Sequence, residues 1–243
     1  MQVPLEDGGD IEILRVRDPR ARRIRLSVGD RGARLTLPPR ASLAAGERFV
    51  LEHRAWLVEQ LGRHAAPHIE PLVPGQEADL PLRGALLPLR WRPARFTRLV
   101  QEDAGLVMEH PASAGHAAFS RAVRDFYEAA ARADIGRWLP RYLPGLPAAP
   151  RRIRLRQMSS QWGSLAPGGA MSLDLSLVLG DPEAFEYVLV HELCHLIHAN
   201  HSPAFWHEVE LRCPQWRRHR DYFRAEGARL KGTLRALLSV SGA

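Results

Sequence analysis

The chain has 243 residues, 45% of them hydrophobic, and a formal net charge of +7 from 34 basic and 27 acidic side chains. That is enough for one substantial core or two small ones, and no segment approaches the apolar length of a membrane span, so a soluble globular protein is expected. The first residues lack the basic start and apolar stretch of a secretory signal, which points to a cytoplasmic location.

Alternating apolar and polar residues predict strands near 11–17, 22–28 and 33–37, the last closed by Pro38-Pro39, which together read as an antiparallel meander. Ser42 is placed to cap a helix with Phe49, Val50, Leu57 and Leu61 on its apolar side and Trp56 as a core anchor. Residues 64–74 read as a loop, followed by short strands near 85–91, 94–100 and 106–109 and a break at 111–115. Phe119, Val123, Phe126 and Ala130 mark a helix over 116–139, with Arg121, Arg124 and Arg132 on its wet side.

After a proline-rich loop at 140–150, Ile153 and Leu155 alternate with Arg152, Arg154 and Arg156 in a strand leading to Trp162-Gly163-Ser164. Pro167-Gly168-Gly169 then turns the chain into a strand at 170–175, forming a hairpin. Helices at 203–211 and 215–229 cover the core, and residues 239–243 fray. No internal repeat is apparent.

The chemistry concentrates in His191-Glu192-Leu193-Cys194-His195, followed by His201. Asp181-Pro182-Glu183 supplies a helix cap, a first-turn proline and an early acid, and Phe185, Leu189, Leu193 and Leu196 follow at helical spacing. On that helix His191 and His195 share a face, with Val188 on their side, and Glu192 lies beside them. Zinc held by three neutral imidazoles keeps a coordination position for a water that Glu192 can deprotonate.

A continuous helix would carry His201 about 240° away from that face, so the helix must end first. Asn200 tolerates the left-handed conformation used at helix ends, and Ser202-Pro203 starts a new segment. His201 is the expected third ligand and Glu208 its rival, while His198 and His207 read as surface or outer contacts. Cys194 and Cys213 have no paired spacing and read as buried free thiols.

Gln161-Trp162-Gly163-Ser164, Tyr187-Val188-Leu189-Val190-His191-Glu192-Leu193 and Asn200-His201-Ser202 with Phe205-Trp206 resemble the YgjP-like zinc metallopeptidases, relatives of the SprT-like proteases. The resemblance runs from about Arg15 to Arg224, and includes the arginine-rich first strand, the Leu37-Pro38-Pro39 turn and the helix with Trp56. It implies His191, His195 and His201 as zinc ligands and Glu192 as catalytic base. Two departures stand out. Ser159-Ser160-Gln161-Trp162-Gly163-Ser164-Leu165 lacks two positive charges and a thiol usual in the family, and Leu173-Asp174 replaces leucine followed by asparagine, so altered substrate contacts are expected.

These readings combine into an α+β, zincin-like unit over 11–230. It comprises a β-rich N-terminal part (11–115) holding the antiparallel meander plus helix, and a zinc-binding catalytic part (116–230) holding the hairpin and the HExxH helix, with 231–243 as a tail. The expected activity is amide-bond hydrolysis of a polypeptide, with zinc as cofactor. The 170–175 strand pairs with the substrate, making Ser172 its test position, and Trp162 or an amide near Gly163 is the candidate second oxyanion donor. The resemblance also admits a metal-dependent nucleoside triphosphate pyrophosphatase, for which Arg154 and Arg156 are the candidate phosphate contacts. A third reading is a non-catalytic binding module with structural zinc. Nucleic acid as partner has only the charge behind it, because Lys231 is the sole lysine and the arginines are scattered through every segment.

Overall fold

Strand order follows burial rather than chain order. In the computed structural model, which describes residues 2–4, 10–29, 32–64, 72–103 and 105–239, the first sheet contains β1 (Gln2–Pro4), β2 (Asp10–Arg17), β3 (Arg25–Gly29) and β4 (Gly32–Leu37) in the order β1-β2-β4-β3. The expected meander is therefore corrected: β2 pairs with β4 in parallel, and β3 hairpins back against the outside of β4. The reason is apolar content. β4 buries Ala33, Leu35 and Leu37 and takes an interior position, whereas the more polar β3 tolerates the edge.

Ser42 caps α1 (Leu43–Glu52), its side chain accepting a hydrogen bond from the Ala45 amide, as anticipated. The helix is interrupted at His53, and α2 (Arg54–His64) follows. Val50 and Leu57 join Ile13, Leu35 and Leu37 in a core of their own, but Trp56 is 40% exposed and is no core anchor. The loop anticipated at 64–74 lies largely outside the described residues.

A second sheet repeats the topology of the first: β5 (Ala78–Leu82), β6 (Ala85–Pro93), β7 (Arg98–Glu102) and β8 (Gly105–His110) run β5-β6-β8-β7. Each sheet has the same sequence of senses, antiparallel, parallel, antiparallel. The absence of an internal repeat is thus corrected at the level of topology. The parallel registers align Ile13-Leu14-Arg15-Val16-Arg17 with Leu89-Arg90-Trp91-Arg92-Pro93, so the repeat is carried by pattern more than by identity. β5 escaped prediction because Pro81 interrupts it, which an edge strand accepts.

Helix α3 (His116–Tyr142) extends past the expected end, with Pro140 in its last turn, and buries Phe119, Val123, Tyr127 and Trp138. A third sheet follows, made of β9 (Arg152–Arg156), β10 (Gly163–Leu165) and β11 (Ala170–Asp174) in the order β10-β11-β9. A short 3-10 helix, Leu175–Leu179, leads to α4 (Pro182–Cys194), α5 (Pro203–Arg212) and α6 (Trp216–Leu238). No helix among the described residues is long and apolar enough to cross a membrane.

The chain divides into two compact units, Met1–Ala66 and Pro67–Ala243, and not at 115/116 as expected. The cause is shared packing: Leu80, Leu89, Leu106 and Met108 of the second sheet lie in the same core as Phe119, Tyr127 and Leu193. Nor is 231–243 a tail. α6 continues to Leu238 and buries Leu234, Leu237 and Leu238.

Lys231, on α6, locks the approach to β10. Its ammonium donates to the carbonyls of Met158 (2.7 Å) and Gln161 (2.8 Å) and to Asp174 Oδ2 (3.3 Å), and the Asp174 carboxylate also accepts from the amides of Met158 and Ser176. The pair is nearly solvent-free, with side chains 9% and 2% exposed. Removing one partner of such a pair strands the other charge, so Asp174→Ala is expected to cost about 3–5 kcal/mol of unfolding free energy. Joining it to Lys231→Met should recover part of that loss. Denaturant unfolding followed by tryptophan fluorescence measures both, and a single variant within about 1 kcal/mol of wild type would contradict the account.

Candidate functional site

Helix α4 begins as its sequence dictates: Asp181 Oδ1 accepts from the Glu183 amide at 2.9 Å and Pro182 occupies the first turn. It is buried on nearly all sides, Val188 and Val190 included, rather than along one stripe. Its end tightens, with the Leu196 amide bonding Leu193 O and the Ile197 amide bonding Cys194 O. Asn200 does not adopt the expected left-handed conformation, since Arg83 is the sole described non-glycine residue with positive φ. Instead Asn200 Oδ1 accepts from the Ser202 amide at 3.3 Å, and Ser202 Oγ in turn caps α5 by accepting from the Phe205 amide. Two consecutive side-chain caps thus reverse the chain.

This reversal brings His191, His195 and His201 together, with one ring nitrogen from each within 4.8 Å of the others. His191 Nε2 and His201 Nε2 are 3.0 Å apart. His195 Nδ1 meets the His198 carbonyl at 3.0 Å, which fixes the tautomer and leaves Nε2 as its free donor. The floor is Phe205, fully buried, whose ring lies 4.5–4.9 Å from all three imidazoles, stacked on His195. Trp206 stacks on His201 and on Trp216.

The cluster fits a metal. Burial, then the neighbouring histidines and Arg220, push the His191 pKa down to about 3, and burial also lowers His201, so both rings are neutral donors at physiological pH. His191 Nδ1 is buried with no hydrogen-bond partner among the described residues, leaving Nε2 as its outward-acting donor. Three imidazole nitrogens suit zinc and its borderline neighbours, not magnesium or calcium. Asp181, Glu183 and His219 form a second group of similar spacing at the opposite end of α4. Asp181 Oδ1 is already engaged in capping there, and a helix N-terminus disfavours cations, so the histidine group is the better site.

Glu192 is 5% exposed, and burial raises its pKa to about 7. Gly163 makes room for it. A Cβ at position 163 would lie 2.5 Å from Glu192 Oε1 and 2.6 Å from its Cγ, so the carboxylate has its place only because this residue has no side chain. Trp162 is held similarly against α6: it packs on Phe223 at 4.5 Å, Lys231 lies over its ring, and a Cβ on Gly227 would meet it at 2.7 Å.

A cleft of about 780 Å³ runs over these groups, walled by β10, α4 and α6. Trp162 and Gly163 line it, but Ser172, Arg154 and Arg156 do not. The proposed docking strand is corrected on topology: β11 is hydrogen-bonded on both sides, Ser164 opposite Ser172 and Arg154 on the other flank, and Ser172 is buried. The edge that lines the cleft belongs to β10. Arg154 and Arg156 are exposed on β9, at the far side of that sheet.

Glu208 pairs with Arg212, whose guanidinium also donates to the Glu208 carbonyl, so the rival ligand is otherwise engaged. His198 contributes its carbonyl and His207 is exposed. Both cysteines are free; burial pushes the Cys194 thiol up to about 12 and that of half-buried Cys213 to about 11, so neither is a ready thiolate. The residues that sequence reasoning missed are Tyr187, Arg220, Phe223 and Arg224. A signal existed in the spacing of Arg220, Arg224, Gly227 and Lys231 along one face of α6.

Comparison with known proteins gives two matches. The family described as YgjP-like, metallopeptidase domain, matches residues 22–226. A solved structure, the metallopeptidase zymogen of Pyrococcus abyssi abylysin, is 26% identical with a TM-score of 0.32, covering 44% of this chain and 96% of that one. No curated protein matches.

The donor set predicts about one zinc per chain in purified protein, measurable by elemental analysis. His201→Ala should weaken retention by more than the ~10- to 100-fold typical of changes to outer contacts. Undiminished zinc affinity in that variant would remove His201 from the ligand set.

Proposed function

Because this chain belongs to the YgjP-like metallopeptidase family, we propose that it is a zinc-dependent, zincin-type peptidase that hydrolyses amide bonds of a polypeptide laid along β10. The observation carrying this reading is the pairing of three convergent imidazoles with a buried Glu192 in one open cleft. His191, His195 and His201 would hold the zinc. When bound, it supplies Lewis acidity, polarising a carbonyl and acidifying water.

Glu192 takes the proton of the attacking water and returns it to the leaving amine. Burial raises its pKa to about 7, which suits both roles, and a bound cation would act to lower it. Gly163 lets the carboxylate lie directly beneath the β10 edge, where a substrate strand would present its backbone. Tyr187 lines the same cleft, and burial raises its pKa to about 12, so it remains a proton-bearing hydroxyl at neutral pH. A purely structural zinc is disfavoured by the lack of a fourth ligand residue in the histidine group among the described residues.

Glu192→Gln should retain zinc and fold while losing about 10²- to 10⁴-fold in the rate of cleaving an unfolded protein. Stoichiometric zinc together with undiminished cleavage would exclude Glu192 as the base. Gly163→Ala should also keep zinc yet lose on the order of 10²-fold in kcat, because the added methyl displaces the Glu192 carboxylate. Peptide turnover by Gly163→Ala equal to wild type would contradict that geometry. Hydrolysis of a nucleoside triphosphate, without any proteolysis, would replace the peptidase reading.

A further inference from the structure

We propose that Arg220 is a specificity-determining residue that binds a carboxylate of the substrate, so that the cleft selects peptides carrying negative charge close to the bond cut. The assignment rests on the peptidase reading and adds a substrate class to it.

Apart from histidine, the cleft is lined by three ionisable groups of strong charge: Glu192, Arg220 and Arg224. Glu192 is buried in the space that Gly163 leaves and pairs with neither guanidinium among the described residues. Arg224 bonds Asp221 at 2.8 Å, but both side chains are about two-thirds exposed and such a pair is readily exchanged. No carboxylate pairs with Arg220 among the described residues. Its guanidinium lies 5.9 Å over the Trp206 ring, and Trp206 stacks on His201, so the free charge stands one aromatic layer from the metal-binding cluster.

On α6, Phe223 continues the wall from Arg220 toward Trp162 and the β10 edge. A peptide paired with β10 would therefore extend beneath a wall bearing an unmatched cation. A guanidinium fork recognises carboxylate geometry with two parallel hydrogen bonds, which neutral amides do not reproduce. The carboxylate can be an aspartate or glutamate side chain, or the free C-terminus of a short peptide.

The test uses the zinc-loaded full chain and fluorogenic peptides that carry Glu, Gln or Lys at each position flanking the cut bond, each made with a free or an amidated C-terminus. The expected wild-type preference for Glu over Gln, or for free acid over amide, is about ten- to a hundredfold in kcat/KM at one position, and which contrast shows it identifies the carboxylate's source. Arg220→Gln should collapse that ratio, Arg220→Lys should retain part of it, and Arg220→Glu should turn it toward Lys. A ratio near one in wild type, or a ratio kept in Arg220→Gln, overturns the proposal. Binding of the same peptides to zinc-loaded Glu192→Gln separates the two failures. Acid-selective binding that Arg220→Gln abolishes, with no peptide cut by wild type, fails the peptidase reading alone. Cleavage without charge preference fails the assignment alone, and neither binding nor cleavage overturns both.

Discussion

Burying a lysine ammonium is costly unless every proton finds an acceptor, and Lys231 meets that condition with two carbonyls and a carboxylate. Two of those acceptors are in the segment just before β10, and the third, Asp174, ends β11. One side chain therefore fixes the edge of the third sheet against α6. From that edge the dependence runs inward: Trp162 is pinned over Gly227, Gly163 follows at once, and its missing side chain leaves the volume that Glu192 fills. Asp174, read in the sequence as an expected departure from the family's pattern, has its physical counterpart in Lys231.

What the sequence made legible was local. Helix caps at Ser42, Asp181 and Ser202 are short-range hydrogen bonds written in consecutive residues, and all three occur as read or at the boundary expected. The grouping of His191, His195 and His201 followed from helical geometry plus the need for a break after His195, although the break is made by an Asn200 side-chain acceptor and not by a left-handed residue. Strand partners were not legible. Periodicity tells which face of a strand is wet but not which neighbour it takes, and so β11 was read as an open edge when it is the central strand. The α6 wall was missed because Arg220 and Arg224 look like any solvated arginines until the cleft is assembled around them.

The three sheets share one solution. In each, a strand runs parallel to the one two places later, and the intervening strand folds back as a hairpin on the outside. In the third sheet that outer position goes to the three-residue β10, short enough to leave its outer flank facing the cleft. The device that places polar strands at the rim in the first two sheets thus places a cleft-facing rim in the third. Position in a recurrent topology, more than the residues of β10 themselves, creates the free edge.

Lys231 has a chemical consequence outside catalysis. It is the sole lysine of the 243 residues, and it is 9% exposed. Acylation, conjugation of a modifier protein through an isopeptide bond and aldehyde crosslinking all need a free, unprotonated ε-amine as nucleophile, whereas arginine keeps its charge and is a poor one. While folded, the protein has a cationic surface built from guanidinium groups and almost no lysine amine to offer such reagents. Unfolding of the segment around α6 would release that amine, so an adduct on the Lys231 ε-amine itself, as distinct from one on an α-amine, would report loss of the clamp.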